Sequence, residues 1–217
     1  MGRLDRLRRA DDRLGEVIRR RRGPGITRLA LLVTHTGSWV TQAAIPAAAI
    51  VSATRGGSWR RAAFAASSML GTSASFHLVK HVVQRERPHA DLHLVRTNDS
   101  SFPSGHAATS AAAARVLAEL TAAPKPLLAG LALGVGVTRV HLGVHHPSDV
   151  VGGFLIGWCW TSLVAAVLRP AQEPVPEPRG TEAGATPSKG PLGYTDQEWS
   201  AVAASKAAGA GHPVSGA

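Results

Sequence analysis

Two things are nearly absent from this sequence of 217 residues: cysteine, and charge within three long stretches. The single cysteine, Cys159, excludes an intrachain disulfide framework and a cysteine-built zinc site. Residues 29–54, 62–79 and 150–168 contain no Asp, Glu, Lys or Arg. Uncharged runs of about 18 residues or more are the mark of bilayer-spanning helices, so an ordinary soluble globule is excluded. A mean hydropathy of only +0.03 hides this, because polar ends dilute the apolar stretches. The start also lacks an uninterrupted apolar segment, so it does not read as a cleavable secretory signal.

What is present is basic. Lys and Arg number 24 against 14 acids, a formal net charge of +10, and residues 1–28 alone hold ten Arg and four acids. Nucleic acid is not the expected partner, because the charge concentrates beside a membrane segment, where anionic lipid headgroups are available. In residues 1–22, Leu4, Leu7, Leu14, Val17 and Ile18 recur at helical spacing with arginines on the other face. That pattern suits an amphipathic helix lying in the interface, ended by Gly23-Pro24-Gly25; a solvated basic arm is the duller alternative.

The expected fold class is all-α: an integral membrane helical bundle of about five spans, near 28–53, 61–83, 104–122, 126–140 and 149–168, with two short segments or a re-entrant hairpin around Pro46 as the alternative for the first, which would move the site to the outer face. Arg115 and Glu119 interrupt the third span four residues apart, and are expected to pair in the bundle interior. Gly130-x3-Gly134 and Gly153-x3-Gly157 offer close backbone approach. The domain reading is 1–25 for the basic interfacial helix, 26–169 for the transmembrane catalytic part and 170–217 for a disordered tail. The tail has seven Pro and seven Gly, with a short helix possible at 195–199.

Polar residues gather at three helix ends: Lys80-x6-Arg87-Pro88, then Pro103-Ser104-Gly105-His106, then Thr138-Arg139-x5-His145-x3-Asp149. Lys80, Arg87 and Arg139 are three cations suited to a multiply charged anion, with arginine offering forked bonds to phosphate oxygens. Ser104 reads as an N-cap, so the N–H groups of Gly105 and His106 make an anion seat at the positive end of a helix. His145 and Asp149 stand four apart; a carboxylate on one imidazole nitrogen leaves the other as nucleophile or base. His106, from another helix, is placed to protonate a leaving alkoxide. Taken together these groups specify phosphoryl transfer with no metal or cofactor required.

The three motifs, in order and spacing, resemble the signature of the type 2 phosphatidic acid phosphatase superfamily, whose site is shared with vanadium haloperoxidases. The resemblance implies a membrane lipid phosphatase acting on a lipid mono- or diphosphate. In it His145 takes the phosphoryl group as a phosphohistidine, Asp149 orients it and His106 serves as the acid. Lys80, Arg87, Ser104, Gly105 and Arg139 form the phosphate cradle. Thr138 stands where the family has Ser, and its role is minor. Phosphatidic acid, phosphatidylglycerol phosphate, a polyprenyl diphosphate and a polyprenyl-sugar phosphate all fit the expected substrate class. A vanadate-dependent haloperoxidase and a non-catalytic lipid-binding membrane protein are the alternatives.

Singly, each of these residues has a plainer reading, such as an interfacial Lys or Arg or a loop histidine. His141, His145 and His146 with Asp149 would suit a metal, but the surrounding cations repel a divalent ion. The expected location is the cell membrane of a bacterium, multi-pass, with the site on the cytoplasmic face beside the N-terminal arginines.

Overall fold

The computed structural model describes residues 2–168, and all regular structure among them is helical. The expected tail at 170–217, with its short helix, lies outside the described residues. The helices are α1 (Arg3–Arg19), α2 (Pro24–His35), α3 (Trp39–Thr54), α4 (Trp59–Val83), α5 (Gly105–Leu120), α6 (Lys125–His141) and α7 (Pro147–Leu168). A 3-10 turn at Ala90–Leu92 lies in the long loop between α4 and α5. The tightest pairing is α5 on α7; α4 packs on both, α3 lies along α4, and α2 lies along α6.

The packing pattern is that of a protein dissolved in lipid. Small and hydroxyl-bearing side chains fill much of the interior: Ala107, Ala108 and Ala112 of α5, Ser68 and Thr72 of α4, and Thr161 of α7. Large apolar side chains point outward, including Leu70 and Leu78 of α4, Leu131 and Leu133 of α6, and Leu155 and Leu163 of α7. Water would penalise such a surface, whereas hydrocarbon tails are as apolar as leucine and reward close backbone packing instead. Among the described residues α7, with 22 residues and mean hydropathy 1.8, is the one helix long and apolar enough to cross a membrane on its own. A denser apolar cluster of Phe64, Met69, Val116 and Val164 fills the opposite end of the bundle from the three motifs.

The expected single span at 28–53 is broken into α2 and α3, with 12 and 16 residues. The break falls at Gly37, where a Cβ would lie 2.5 Å from Val135 Cγ1 and 3.0 Å from the His106 carbonyl. A glycine is required for that approach, and glycine also weakens a helix. Pro46 does not make the break; it is buried inside α3. At 1.5 Å per residue α2 rises about 18 Å, short of the hydrocarbon core.

The two glycine pairs part company. A Cβ on Gly153 would stand 2.4 Å from the Ser104 carbonyl oxygen, and one on Gly157 2.3 Å from that of Ala108, so both let α7 lie against α5. Gly130 meets nothing within 4 Å and Gly134 only Val33 at 3.8 Å, so this pair makes no close helix contact. Arg115 and Glu119 do pair, at 3.4 Å, but on the groove between α5 and α7 rather than in the interior. Their side chains keep 26% and 37% of their surface, and Arg115 lies 5.1 Å over the Trp158 ring. The long arginine stem gains an aromatic face there that the small-residue interior does not offer.

Gly153→Val is therefore expected to cost about 1–3 kcal/mol by overpacking against the start of α5. Gly130→Ala is expected to be neutral or to stabilise by up to about 1 kcal/mol through helix propensity. Thermal melting of both variants in detergent checks the pair, and equal melting temperatures would refute the assigned contact.

Candidate active site

Three chain segments are stitched together at one end of the bundle. α4 stops at Gln84, which adopts a left-handed conformation (φ 46°) while its N–H donates to the Lys80 carbonyl at 3.1 Å. The chain turns there, and Ser101 N–H donates to the Arg85 carbonyl at 2.8 Å, closing the loop that carries Arg85 and Arg87. After α6, Gly143 takes φ +79°; a Cβ there would come 2.0 Å from the Leu92 carbonyl. Next to it Leu94 N–H donates to the Leu142 carbonyl at 2.9 Å, tying the two loops edge to edge. Ser104 caps α5 by accepting from Ala107 N–H at 3.4 Å, and its own N–H donates to the Asp149 carbonyl at 2.9 Å.

Asp149 sits fully buried in the first turn of α7. Its Oδ2 accepts from His146 N–H at 2.8 Å and from the Ser101 hydroxyl, while Oδ1 accepts from Arg85 at 2.7 Å. His145 Nδ1 lies 3.5 Å from the same Oδ2 and has no other partner, one small tightening short of a hydrogen bond. Such bonds are commonly long before substrate binds. The other imidazole nitrogen, Nε2, faces Arg87 at 3.3 Å. Burial pushes the His145 pKa down to about 4, with the Arg87 and Arg139 charges adding to it and the Asp149 contact opposing. The folded value lies below the ordinary 6.5, so the imidazole stays neutral at neutral pH, with the Nε2 lone pair facing the Arg87 N–H.

The cations expected to hold phosphate are buried around this pair. Lys80 is 7% exposed and donates to the Ser100 carbonyl. Arg87 donates to the carbonyls of Val144 and Asp99. Arg139, 6% exposed, is held by Thr34 of α2 at 3.0 Å, and its Nε has no partner. A buried guanidinium with an unused donor wants an anion. His106 stands within electrostatic reach of Arg139, His145, His35 and Arg87. The first-turn N–H groups of Gly105 and His106 have no acceptor among the described residues.

The expected residues do not all behave alike. Thr138 is buried but its hydroxyl donates to the Val135 carbonyl at 2.6 Å, within its own helix, which removes it from the cluster. His141 turns to Thr27 at 3.2 Å and His146 Nδ1 to Asp12 at 3.4 Å, so the three neighbouring histidines face different partners.

Three acidic or basic residues at the site were not singled out from sequence. Arg85 lies inside the Lys80-x6-Arg87 spacing but at an unassigned position. Asp99 bridges Lys80, at 3.1 Å, and Arg87. Burial alone would raise its carboxyl, but the bonds from Arg87 and Lys80 outweigh this and hold it below the usual carboxylate range. Asp11 of α1 reaches Arg85 at 2.8 Å. The only sequence signal for these was charge beside a motif.

Known proteins resemble this chain in sequence and in fold. A family model described as the PAP2 superfamily matches residues 61–173. A decaprenylphosphoryl-5-phosphoribose phosphatase of Mycolicibacterium smegmatis is 39% identical over 137 residues, covering 60% of this chain and 72% of that one. The crystal structure of a transmembrane PAP2 type phosphatidylglycerolphosphate phosphatase from Bacillus subtilis superposes with a TM-score of 0.61 at 24% identity, over 74% of this chain and 85% of that one. Aquifex aeolicus LpxE gives the same TM-score at 21% identity, over 71% and 93%.

Asp99 occupies donors of Lys80 and Arg87 that an incoming anion would need. Asp99→Asn is expected to tighten inhibition by inorganic phosphate or vanadate about tenfold, because one competing charge leaves the cradle. An unchanged inhibition constant would show that Asp99 and a bound anion do not compete.

Proposed function

The chain belongs to the PAP2 superfamily and is a membrane phosphatase of lipid phosphates, and we propose that it removes the terminal phosphate of a polyprenyl-linked sugar phosphate through a phosphohistidine on His145. One observation carries the mechanism: a neutral, buried imidazole held between Asp149 on one nitrogen and Arg87 on the other. The similarity to a decaprenylphosphoryl-5-phosphoribose phosphatase supports the substrate class over phosphatidic acid or phosphatidylglycerol phosphate.

In the proposed reaction, Lys80, Arg87, Arg139 and the N–H groups opening α5 take the three non-bridging phosphate oxygens. His145 Nε2 attacks phosphorus in line with the ester bond, and the P–O bond to the sugar breaks as the N–P bond forms. The bound phosphate dianion offsets the neighbouring cations and holds a second proton on His106, which gives it to the departing oxygen. Asp149 accepts a hydrogen bond from Nδ1–H and stabilises the positive charge that grows on the imidazole. Water then attacks phosphorus as His106 takes back a proton, and inorganic phosphate leaves with His145 neutral again. Every group named belongs to the chain. Because His145 is held near 4 rather than 6.5, its protonation does not limit attack above about pH 5.

We further place the site at the membrane edge facing the cytoplasm, on the side of the N-terminal arginines. Asn98 is exposed in the loop beside the site. In a Cys159→Ser background, Asn98→Cys is expected to react with an impermeant maleimide only after cells are permeabilised; labelling in intact cells would put the site outside.

Phosphate release in detergent with chelator present tests the rest, across polyprenyl-sugar phosphate, polyprenyl diphosphate, phosphatidic acid and phosphatidylglycerol phosphate. Release is expected to persist in chelator, to be fastest on the polyprenyl-sugar phosphate, and to fall by at least about 10³-fold in His145→Ala. Retained activity in that variant would overturn the mechanism, and a faster phospholipid the substrate.

A further inference from the structure

The N-terminal helix is wired into the catalytic pair. Asp11, from α1, lies more than a hundred residues from Asp149 in the sequence, yet its side chain is only 8% exposed against the start of α7. Its Oδ1 accepts the Ser148 N–H at 2.8 Å, so α1 caps α7 from outside. Its Oδ2 accepts from the Ser148 hydroxyl and from one terminal nitrogen of Arg85 at 2.8 Å. The other terminal nitrogen of Arg85 donates to Asp149 Oδ1 at 2.7 Å and to the Ser148 hydroxyl at 2.6 Å. One guanidinium therefore spans two carboxylates, one catalytic and one on the interfacial helix.

We propose that Asp11 is a positioning residue for phosphoryl transfer, acting through Arg85 on Asp149. The inference rests on the reading of Asp149 as the partner of His145. Asp149 helps only as far as its negative charge reaches the imidazole when positive charge grows there. A guanidinium bonded to Oδ1 alone would cancel most of that charge. Asp11 supplies a second anion to the same guanidinium, so the set Asp11, Arg85, Asp149 carries one net negative charge, and that charge is left on the side of Oδ2 that faces His145. Arg85 in turn fixes the carboxylate plane so that Oδ2, shared with Ser101 and His146 N–H, stays aimed at Nδ1. The other charged groups near the pair are the cations Arg87, Arg139 and Lys80 and the carboxylate of Asp99, which bridges Lys80 and Arg87; these sum to a positive charge, which the surplus negative charge of the set opposes.

Asparagine caps a helix as well as aspartate does, so Asp11→Asn removes the charge and leaves the cap on Ser148. With phosphatidic acid in mixed micelles as the probe substrate, Asp11→Asn in the full-length protein is expected to lower kcat about tenfold with KM unchanged within about twofold. Asp11→Glu is expected to restore most of the kcat. Adding Arg85→Gln to Asp11→Asn is expected to recover part of the loss, because the uncompensated cation is then gone and a donor to Oδ1 remains. A kcat equal to wild type in Asp11→Asn, a loss confined to KM, or a double variant worse than either single change would each overturn the proposal. Should Asp11→Asn fail to purify as a monodisperse protein, Asp11→Ser, which also keeps a cap, carries the same test. His145→Ala run in parallel separates the two ideas: activity surviving there removes the reading of the pair itself and this inference with it, whereas an inactive His145→Ala beside an unaffected Asp11→Asn removes only the inference.

Discussion

A carboxylate with no exposed surface must be matched by donors from its surroundings, and Asp149 collects them from three separate pieces of chain. Arg85 comes from the turn after α4, Ser101 from the approach to α5, and His146 N–H from the loop between α6 and α7, which also brings the adjacent His145 to 3.5 Å. Removing any one donor would leave part of a buried charge unmatched, so each segment is held where the others need it. The motifs, far apart in the chain, thus share one centre. The α7 N-terminus adds its own positive potential to the same carboxylate.

The lipid-like exterior and the polar end are two consequences of one packing choice. With Ala, Gly, Ser and Thr lining the contacts of α4, α5 and α7, the helix axes come close, and a large side chain has little room inside. Long charged residues are therefore confined to the helix ends, where loops can wrap them. Crowding four arginine and lysine side chains into that end is tolerable because Asp149, Asp99 and Asp11 are threaded between them. The field that results is strong because little water reaches Arg139, Lys80 or His145.

Much of the site could be read from sequence, because phosphate chemistry demands residue types at fixed offsets from helix ends. Lys80, Arg87, Ser104, His106, Arg139, His145 and Asp149 sit within the cluster for that reason. The bounds of α4 to α7 were legible to within a few residues, those of α4 and α7 from their uncharged runs. The break at Gly37 was not, since an uncharged run gives no sign of where His106 and Val135 will press against it. Arg85, Asp99 and Asp11 were not legible either. Their roles depend on ion pairs between residues 12 to 74 positions apart, and hydrophobic periodicity carries no record of such pairs. Thr138 matches a motif by position, and its local partner was not legible either: a hydroxyl inside a helix can bond its own backbone, and here it does.

The same features meet two demands that ordinarily conflict. A phosphate dianion needs concentrated positive charge, and a histidine nucleophile needs to be neutral. Beside an acidic cluster the imidazole would take up a proton and lose its lone pair; in open water it would be half-charged near pH 6.5. Here burial, with Arg87 and Arg139 close by, keeps the His145 proton off, and those cations are the ones expected to bind the substrate. In the proposed reaction the residual need is for some negative charge to steady the imidazole once it has bonded to phosphorus, and Asp149 stands on the far nitrogen to supply it. Cations on the Nε2 side and a carboxylate on the Nδ1 side make the imidazole polar end to end. The proposed nucleophile is therefore activated by where its neighbours stand, without a shift of its pKa toward the charged form.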